Sequence, residues 1–268
     1  MKLLQKAKKS LGQNFLMDNN IINKIVEIGR IDKNKTVMEI GAGYGNLTKT
    51  IASMGAKKIF AIEKDKKLVS LLKEKFKNYN NIKIINRDIL NIIEENKLEQ
   101  NVIVFGNLPY NISTKILASL ILLKKWPPWY EILILMFQKE VAERIIAKTQ
   151  TKEFGRLSVL SNWRLEIKKH FNVSNNCFFP KPKITSTVLS FKPKKNNRFN
   201  LKNPKNLEKV TRILFSNRRK IINKNFNKLF KQNRVVAKNL NINLNQRPEE
   251  LSSEIFYKIA LQYEKLFD

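Results

Sequence analysis

The chain has 268 residues, 43% of them apolar, enough for one large domain or an ordinary one with a smaller companion. Its 52 basic and 22 acidic side chains give a formal charge of +30 and a pI near 10.2, which points to a polyanionic partner, most simply nucleic acid, on a background rich in Asn, Ile and Lys. One cysteine, Cys177, excludes an intrachain disulfide, and one cysteine with one histidine, His170, excludes a Cys/His metal cluster and offers no basis for a catalytic triad. No apolar run approaches the ~18–20 residues of a membrane span, and the basic stretch Met1 to Ser10 lacks the apolar core of a signal peptide, so a soluble cytoplasmic protein is expected.

After the basic leader, Leu11-Gly12-Gln13-Asn14-Phe15-Leu16 suits either the end of a solvated tail or a loop folding over a ligand. Asp18 is placed to cap a helix with Ile21, Ile22, Ile25, Val26 and Ile28 on its apolar side, ended by Gly29. Thr36–Ile40 is a strand, Gly41-Ala42-Gly43-Tyr44-Gly45 a tight turn, and Asn46-Leu47-Thr48 opens a helix. Glycines in such a turn let the backbone approach a ligand closely. Asn46 takes the place of the last glycine of the dinucleotide pattern, which disfavours pyrophosphate. A second strand, Lys58–Ile62, ends at Glu63, placed 18 residues after Gly45 to accept hydrogen bonds from a ribose diol. A helix follows over 66–77 and a third strand over 82–86. Beyond it stand Asp88, suited either to an adenine amine or to capping the next turn, and Ile89, suited to covering a ring face.

The fourth strand, Asn101–Gly106, is short, β-branched and buried by pattern, and it delivers Asn107-Leu108-Pro109-Tyr110 to the sheet's carboxyl edge. There, an amide, a stiffened turn and an aromatic ring suit a flat base with an exocyclic amine, while a simple packed turn is the plainer alternative. Ser113 is expected to cap the helix through Leu123. A fifth strand (131–137), helices over 138–148 and from 157 to 163, and two extended stretches (165–173 and 185–191) follow. Between the last two lies Cys177-Phe178-Phe179-Pro180-Lys181-Pro182-Lys183, a loop stiffened by proline that offers Phe179 for stacking. The polar segment 192–204 marks the expected domain boundary. Beyond it, apolar stripes predict four helices: Leu207–Phe215, Ile221–Phe230, Val235–Leu240 and Ile255–Leu266. Residues 195–268 carry 17 basic and 6 acidic side chains, and Arg218, Arg219, Lys220 and Lys224 form the densest candidate for phosphate contacts, with Lys228 on the same expected helix.

These motifs, in this order, resemble those of the KsgA family of small-subunit rRNA adenine dimethyltransferases, over nearly the whole chain. The marks are Leu11–Leu16, Glu39–Gly45, Glu63, Asp88, Asn107–Tyr110, Phe179-Pro180-Lys181-Pro182 and Ser216-Asn217-Arg218-Arg219-Lys220. The resemblance implies an α/β fold: a Rossmann-like class I methyltransferase domain (1–195) and a small all-α RNA-binding domain (196–268). It implies transfer of two methyls from S-adenosylmethionine, leaving S-adenosylhomocysteine, to N6 of each of two adjacent adenosines in the 3′-terminal hairpin of small-subunit rRNA. The expected partner is the immature small ribosomal subunit, met by a monomer that needs neither metal nor membrane. Asn14 and Leu16 are expected to cover the cofactor, Gly41, Gly43 and Gly45 to pass beneath it, Glu63 to hold its ribose, and Asp88 with Ile89 its adenine. Asn107, with Leu108, Pro109, Tyr110 and Phe179, is expected to meet the base. A DNA adenine methyltransferase, a large-subunit rRNA methyltransferase and a non-catalytic assembly factor are the alternatives.

Overall fold

In the computed structural model, residues 12–95 and 98–267 are described; the basic leader, and Leu11 of the first motif, lie outside them. A seven-stranded sheet carries the fold, built from β2 (Thr36–Ile40), β3 (Lys58–Glu63), β4 (Ile82–Asn86), β5 (Val102–Asn107), β6 (Tyr130–Gln138), β7 (Leu165–Val173) and β9 (Ser186–Pro193), in the order β4-β3-β2-β5-β6-β9-β7. β4 through β6 run parallel, and β9 is antiparallel to β6. The order reverses between β2 and β5, so their carboxyl ends open the crevice in which such sheets bind ligands. β1 (Phe15–Leu16) and β8 (Phe178–Phe179) form a separate antiparallel pair.

The helices α1 (Asn19–Ile28), α2 (Asn46–Ser53), α3 (Lys66–Lys75), α4 (Ile89–Glu95), α5 (Ser113–Ile121) and α6 (Lys139–Ile146) form where apolar residues recur at helical spacing. Asp18 and Asp65 cap α1 and α3 by accepting the N–H groups of Ile21 and Lys67 at 3.0 Å. Ser113 does not cap α5: it is the first helical residue, buried, and its hydroxyl donates to the Tyr110 carbonyl at 3.2 Å. β5 is buried along nearly its whole length, as a strand covered on both faces must be. Val37, Ile59, Ile103, Phe105 and Ile134 join Ile22, Val26 and Ile51 in the core on one face.

The chain divides into two compact units. The first comprises residues 1–119, 128–142 and 168–193; the second comprises 120–127, 143–167 and 194–268. The final crossing lies between residues 193 and 194, and the second unit also takes in two upstream segments. It contains α7 (Arg156–Arg164), α8 (Lys205–Leu214), α9 (Asn223–Asn227), α10 (Asn233–Asn239) and α11 (Ser253–Phe267), with α8 packed on α7 and α11. Arg164 is buried there between Trp163 and Trp126, 3.8 and 4.7 Å from their rings, and donates to the Ile121 and Leu123 carbonyls. Its charge therefore satisfies the carbonyls at the end of α5 while the indoles cover it.

The expected helix over Ile221–Phe230 is only five residues long, α9, and Arg218, Arg219 and Lys220 lie in the turn before it. Alternating asparagines (Asn223, Asn225, Asn227) weaken the helix, and Asn225 turns inward to donate to the Leu214 carbonyl at 3.4 Å.

Candidate active site

A cavity of about 210 Å³ opens at the carboxyl edge of β2, β3, β4 and β5. Gly41 and Gly43 form one wall, Glu63 and Lys64 the next, and Arg87, Asp88 and Ile89 a third. Asn107, Leu108, Pro109 and Tyr110 stand opposite, and Gly12–Phe15 complete the enclosure. Ten residues expected at the site, Asn14 among them, therefore line one cavity, drawn from five separate stretches of sequence.

The glycine turn is shaped by what it must admit. Gly43 has φ +56°, and a Cβ there would stand 2.8 Å from the ring of Phe15. Phe15 in turn lies against Tyr44, ring centroids 4.3 Å apart. Gly45 does not line the cavity; it sits at the start of α2, where a Cβ would strike Phe76 and Leu72.

Glu63 is buried, and its carboxylate is anchored by three main-chain donors: Gly43 N–H to Oε2 at 3.0 Å, and Lys64 and Asp65 N–H to Oε1 at 2.8 and 2.9 Å. Oε2 keeps a lone pair for one more donor. Asp88 Oδ1 caps the turn by accepting Leu90 N–H at 3.0 Å, and the residue lines the cavity. The Lys64 ammonium, 2.9 Å from Oδ2, holds its carboxyl below the usual range, with the Leu90 N–H acting in the same direction.

Asn107 ends β5 with its amide oriented. Nδ2 donates to the main-chain carbonyl of Asn14 at 2.7 Å, which leaves Oδ1 as an acceptor. The Pro109 carbonyl accepts Ile112 N–H at 3.1 Å, whereas the Leu108 carbonyl meets no donor among the described residues. Tyr110 contributes a half-buried ring whose hydroxyl hydrogen-bonds Ser186 Oγ at 2.7 Å; burial raises its pKa above the usual value.

Leu16 and Phe179 do not line the cavity. Neighbouring residues of a strand face opposite ways, so with Phe15 on the cavity wall, Leu16 turns into the core and its carbonyl accepts from Asn46 at 3.1 Å. Phe179 is 45% exposed beside Phe15 in the β1–β8 ladder. Arg219, Lys220 and Lys224 are exposed, while Arg218 pairs with Glu249 at 2.7 Å. Sequence reasoning missed Phe15, Lys64 and Arg87 as wall residues.

It also missed Glu39, buried at the end of β2 where it accepts from the Thr48 hydroxyl. Burial pushes its pKa up to about 8, so the carboxyl is mostly protonated at neutral pH and spares Glu63 a like-charged neighbour.

The family model for ribosomal RNA adenine dimethylase matches residues 4–265. A Pelagibacter ubique (strain HTCC1062) protein named ribosomal RNA small subunit methyltransferase A is 51% identical over 261 residues, covering 97% of this chain and 98% of that protein. A protein of the same name from Wolbachia sp. subsp. Drosophila simulans is 41% identical over 273 residues, 99% of this chain and 97% of its own. Among solved structures, a dimethyladenosine transferase from Plasmodium falciparum superposes with a TM-score of 0.76 at 27% identity, over 94% of this chain and 98% of that one. The 23S rRNA methyltransferase ErmE matches in fold, with a TM-score of 0.65 at 20% identity over 94% and 99% of the two chains. A match from residue 4 to residue 265 takes in every wall of the cavity, and this chain belongs to the ribosomal RNA adenine dimethylase family.

Proposed function

We propose that the protein is an S-adenosylmethionine-dependent rRNA adenine-N6,N6-dimethyltransferase. Its substrate is a pair of adjacent adenosines in the 3′-terminal hairpin of small-subunit rRNA, met by a monomer in the cytoplasm on the immature subunit. The observation that carries this reading is the oriented amide of Asn107, whose Nδ2 is taken by the Asn14 carbonyl so that Oδ1 and the neighbouring Leu108 carbonyl remain as acceptors. Two acceptors on one turn match the two hydrogens of an exocyclic amine.

The cavity fits the cofactor. A Cβ on Gly41 would meet only the Asn107 carbonyl oxygen, at 3.8 Å, and would otherwise occupy the space a ligand needs. Glu63 Oε2 retains an acceptor for a ribose hydroxyl, Asp88 is positioned for the adenine amine, and Ile89 offers an apolar face. Asn14 and Leu16 belong to the segment that covers it. When bound, S-adenosylmethionine supplies a sulfonium methyl that is already activated.

The chain must supply geometry, because the adenine N6 lone pair is delocalised into the ring and is a poor nucleophile. Asn107 Oδ1 and the Leu108 carbonyl accept the two N6 hydrogens, turn the lone pair out of conjugation and stabilise charge developing on nitrogen. In the second methylation one N6 hydrogen remains for one of these acceptors. Tyr110 stacks on the base and Phe179 faces it from the other side, each contact worth roughly 1–3 kcal/mol. The base is unpaired or flipped to reach them, and the spent proton leaves to solvent. Residues 1–195 act as the methyltransferase domain, and 196–268, with Arg218, Arg219, Lys220 and Lys224, contact RNA phosphates.

Labelled cofactor incubated with immature small subunits, large-subunit rRNA and duplex DNA tests the proposal. Label in dimethyladenosine of the small subunit alone supports it; label confined to either of the other substrates, or none, overturns it.

A further inference from the structure

Tyr110 is held at both ends. Its main-chain carbonyl accepts from the Ser113 hydroxyl, and its phenol hydrogen-bonds Ser186, 76 residues further along the chain. Both serines are buried, with Ser186 at 0% exposure. A buried hydroxyl keeps its place through its partner, because leaving it unpaired costs its desolvation.

Topology explains why Ser186 is there. β9 runs antiparallel to β6, so its first residue, Ser186, lies opposite Gln138 at the carboxyl end of β6. That is the edge where the cavity opens. Seven residues earlier, the same chain carries Phe179 in β8, where it is fixed by pairing with Phe15. One hydrogen bond therefore joins the turn bearing Asn107 and Tyr110 to the segment bearing Phe179. We propose that Ser186 is a positioning residue for methyl transfer: it fixes the Tyr110 ring in the plane that receives the target base and ties that ring to the Phe179 segment. This rests on the function proposed above and names a group outside the cavity wall on which base placement depends.

The test is a double-mutant cycle on methyl transfer to immature small subunits, with Ser186→Ala, Tyr110→Phe and the pair together. Each single change is expected to lower kcat/KM for RNA about five- to tenfold, the loss of one neutral hydrogen bond. The double variant should be no worse than either single one, and S-adenosylhomocysteine should bind all four proteins within about twofold. A merely structural serine behaves differently: its loss would persist in the Tyr110→Phe background, and multiplying effects would overturn the proposal. Full activity of Ser186→Ala would overturn it too. If Ser186→Ala does not fold, Tyr110→Phe breaks the same bond from a half-exposed position without opening a cavity. There, a five- to tenfold loss supports the proposal and unchanged kcat/KM overturns it. A wild-type protein that transfers no methyl group would instead refute the function itself.

Discussion

Glu39→Gln isolates the buried acid beneath the glycine turn. In the folded protein the Glu39 carboxyl titrates near 8, against 4.5 for an ordinary glutamate, chiefly because it is buried. Between those two values the unfolded chain has released a proton that the folded chain still holds. Rising pH therefore favours unfolding, by up to about 1.4 kcal/mol per pH unit. The penalty is absent below pH 4.5, on the order of 3 kcal/mol at pH 7, and levels off at roughly 5 kcal/mol above pH 8. Glutamine keeps the shape and the acceptor for the Thr48 hydroxyl but cannot ionise. Urea unfolding of both proteins at pH 5, 6, 7 and 8 measures the difference directly. The two should be similar at pH 5, and the glutamine variant should become progressively the more stable by several kcal/mol at pH 8. Parallel stability curves across that range would refute the assignment of a raised carboxyl to Glu39.

Two further changes probe the cavity and the basic surface. Gly43→Ala places a methyl 2.8 Å from the Phe15 ring at a backbone φ of +56°, so calorimetry should find S-adenosylhomocysteine binding weakened by tenfold or more. Replacing Arg219, Lys220 and Lys224 together with alanine should leave melting temperature and cofactor affinity unchanged, because all three are exposed. Small-subunit binding should weaken, and the dependence of log affinity on log salt should become shallower by about two to three; an unchanged slope would remove these residues from the RNA surface.

The parts of the fold that sequence made legible are those with local causes. β2 is a short apolar run followed by Gly41, β3 one that ends at Glu63 and β5 one that closes in Gly106-Asn107, and Asp18 caps α1 where a capping residue stands before an amphipathic stretch. Glu63, Asp88 and Asn107 were legible because strand ends at one sheet edge converge whatever lies between them. Features set by distant partners were not legible. Whether Phe15 or Leu16 faces the cavity depends on how β1 lies on β8, and a two-residue strand is too short to show its alternation. Ser113 looked like a cap because its type and place fit, yet its hydroxyl is taken by Tyr110. The helix expected over Ile221–Phe230 from an apolar stripe keeps only Asn223–Asn227, whose central Asn225 bonds the distant Leu214 carbonyl. The second unit's upstream segments, 120–127 and 143–167, join it through contacts that no composition shift announces.

Asn107→Ala tests the central claim most directly. It removes Oδ1, the acceptor that the Asn14 carbonyl leaves available, together with the Nδ2 hydrogen bond to Asn14. In single-turnover methylation of immature small subunits at saturating cofactor, the account predicts a rate reduced roughly 100-fold or more in a protein that melts like the wild type. A folded Asn107→Ala protein that forms dimethyladenosine at close to the wild-type rate would contradict it.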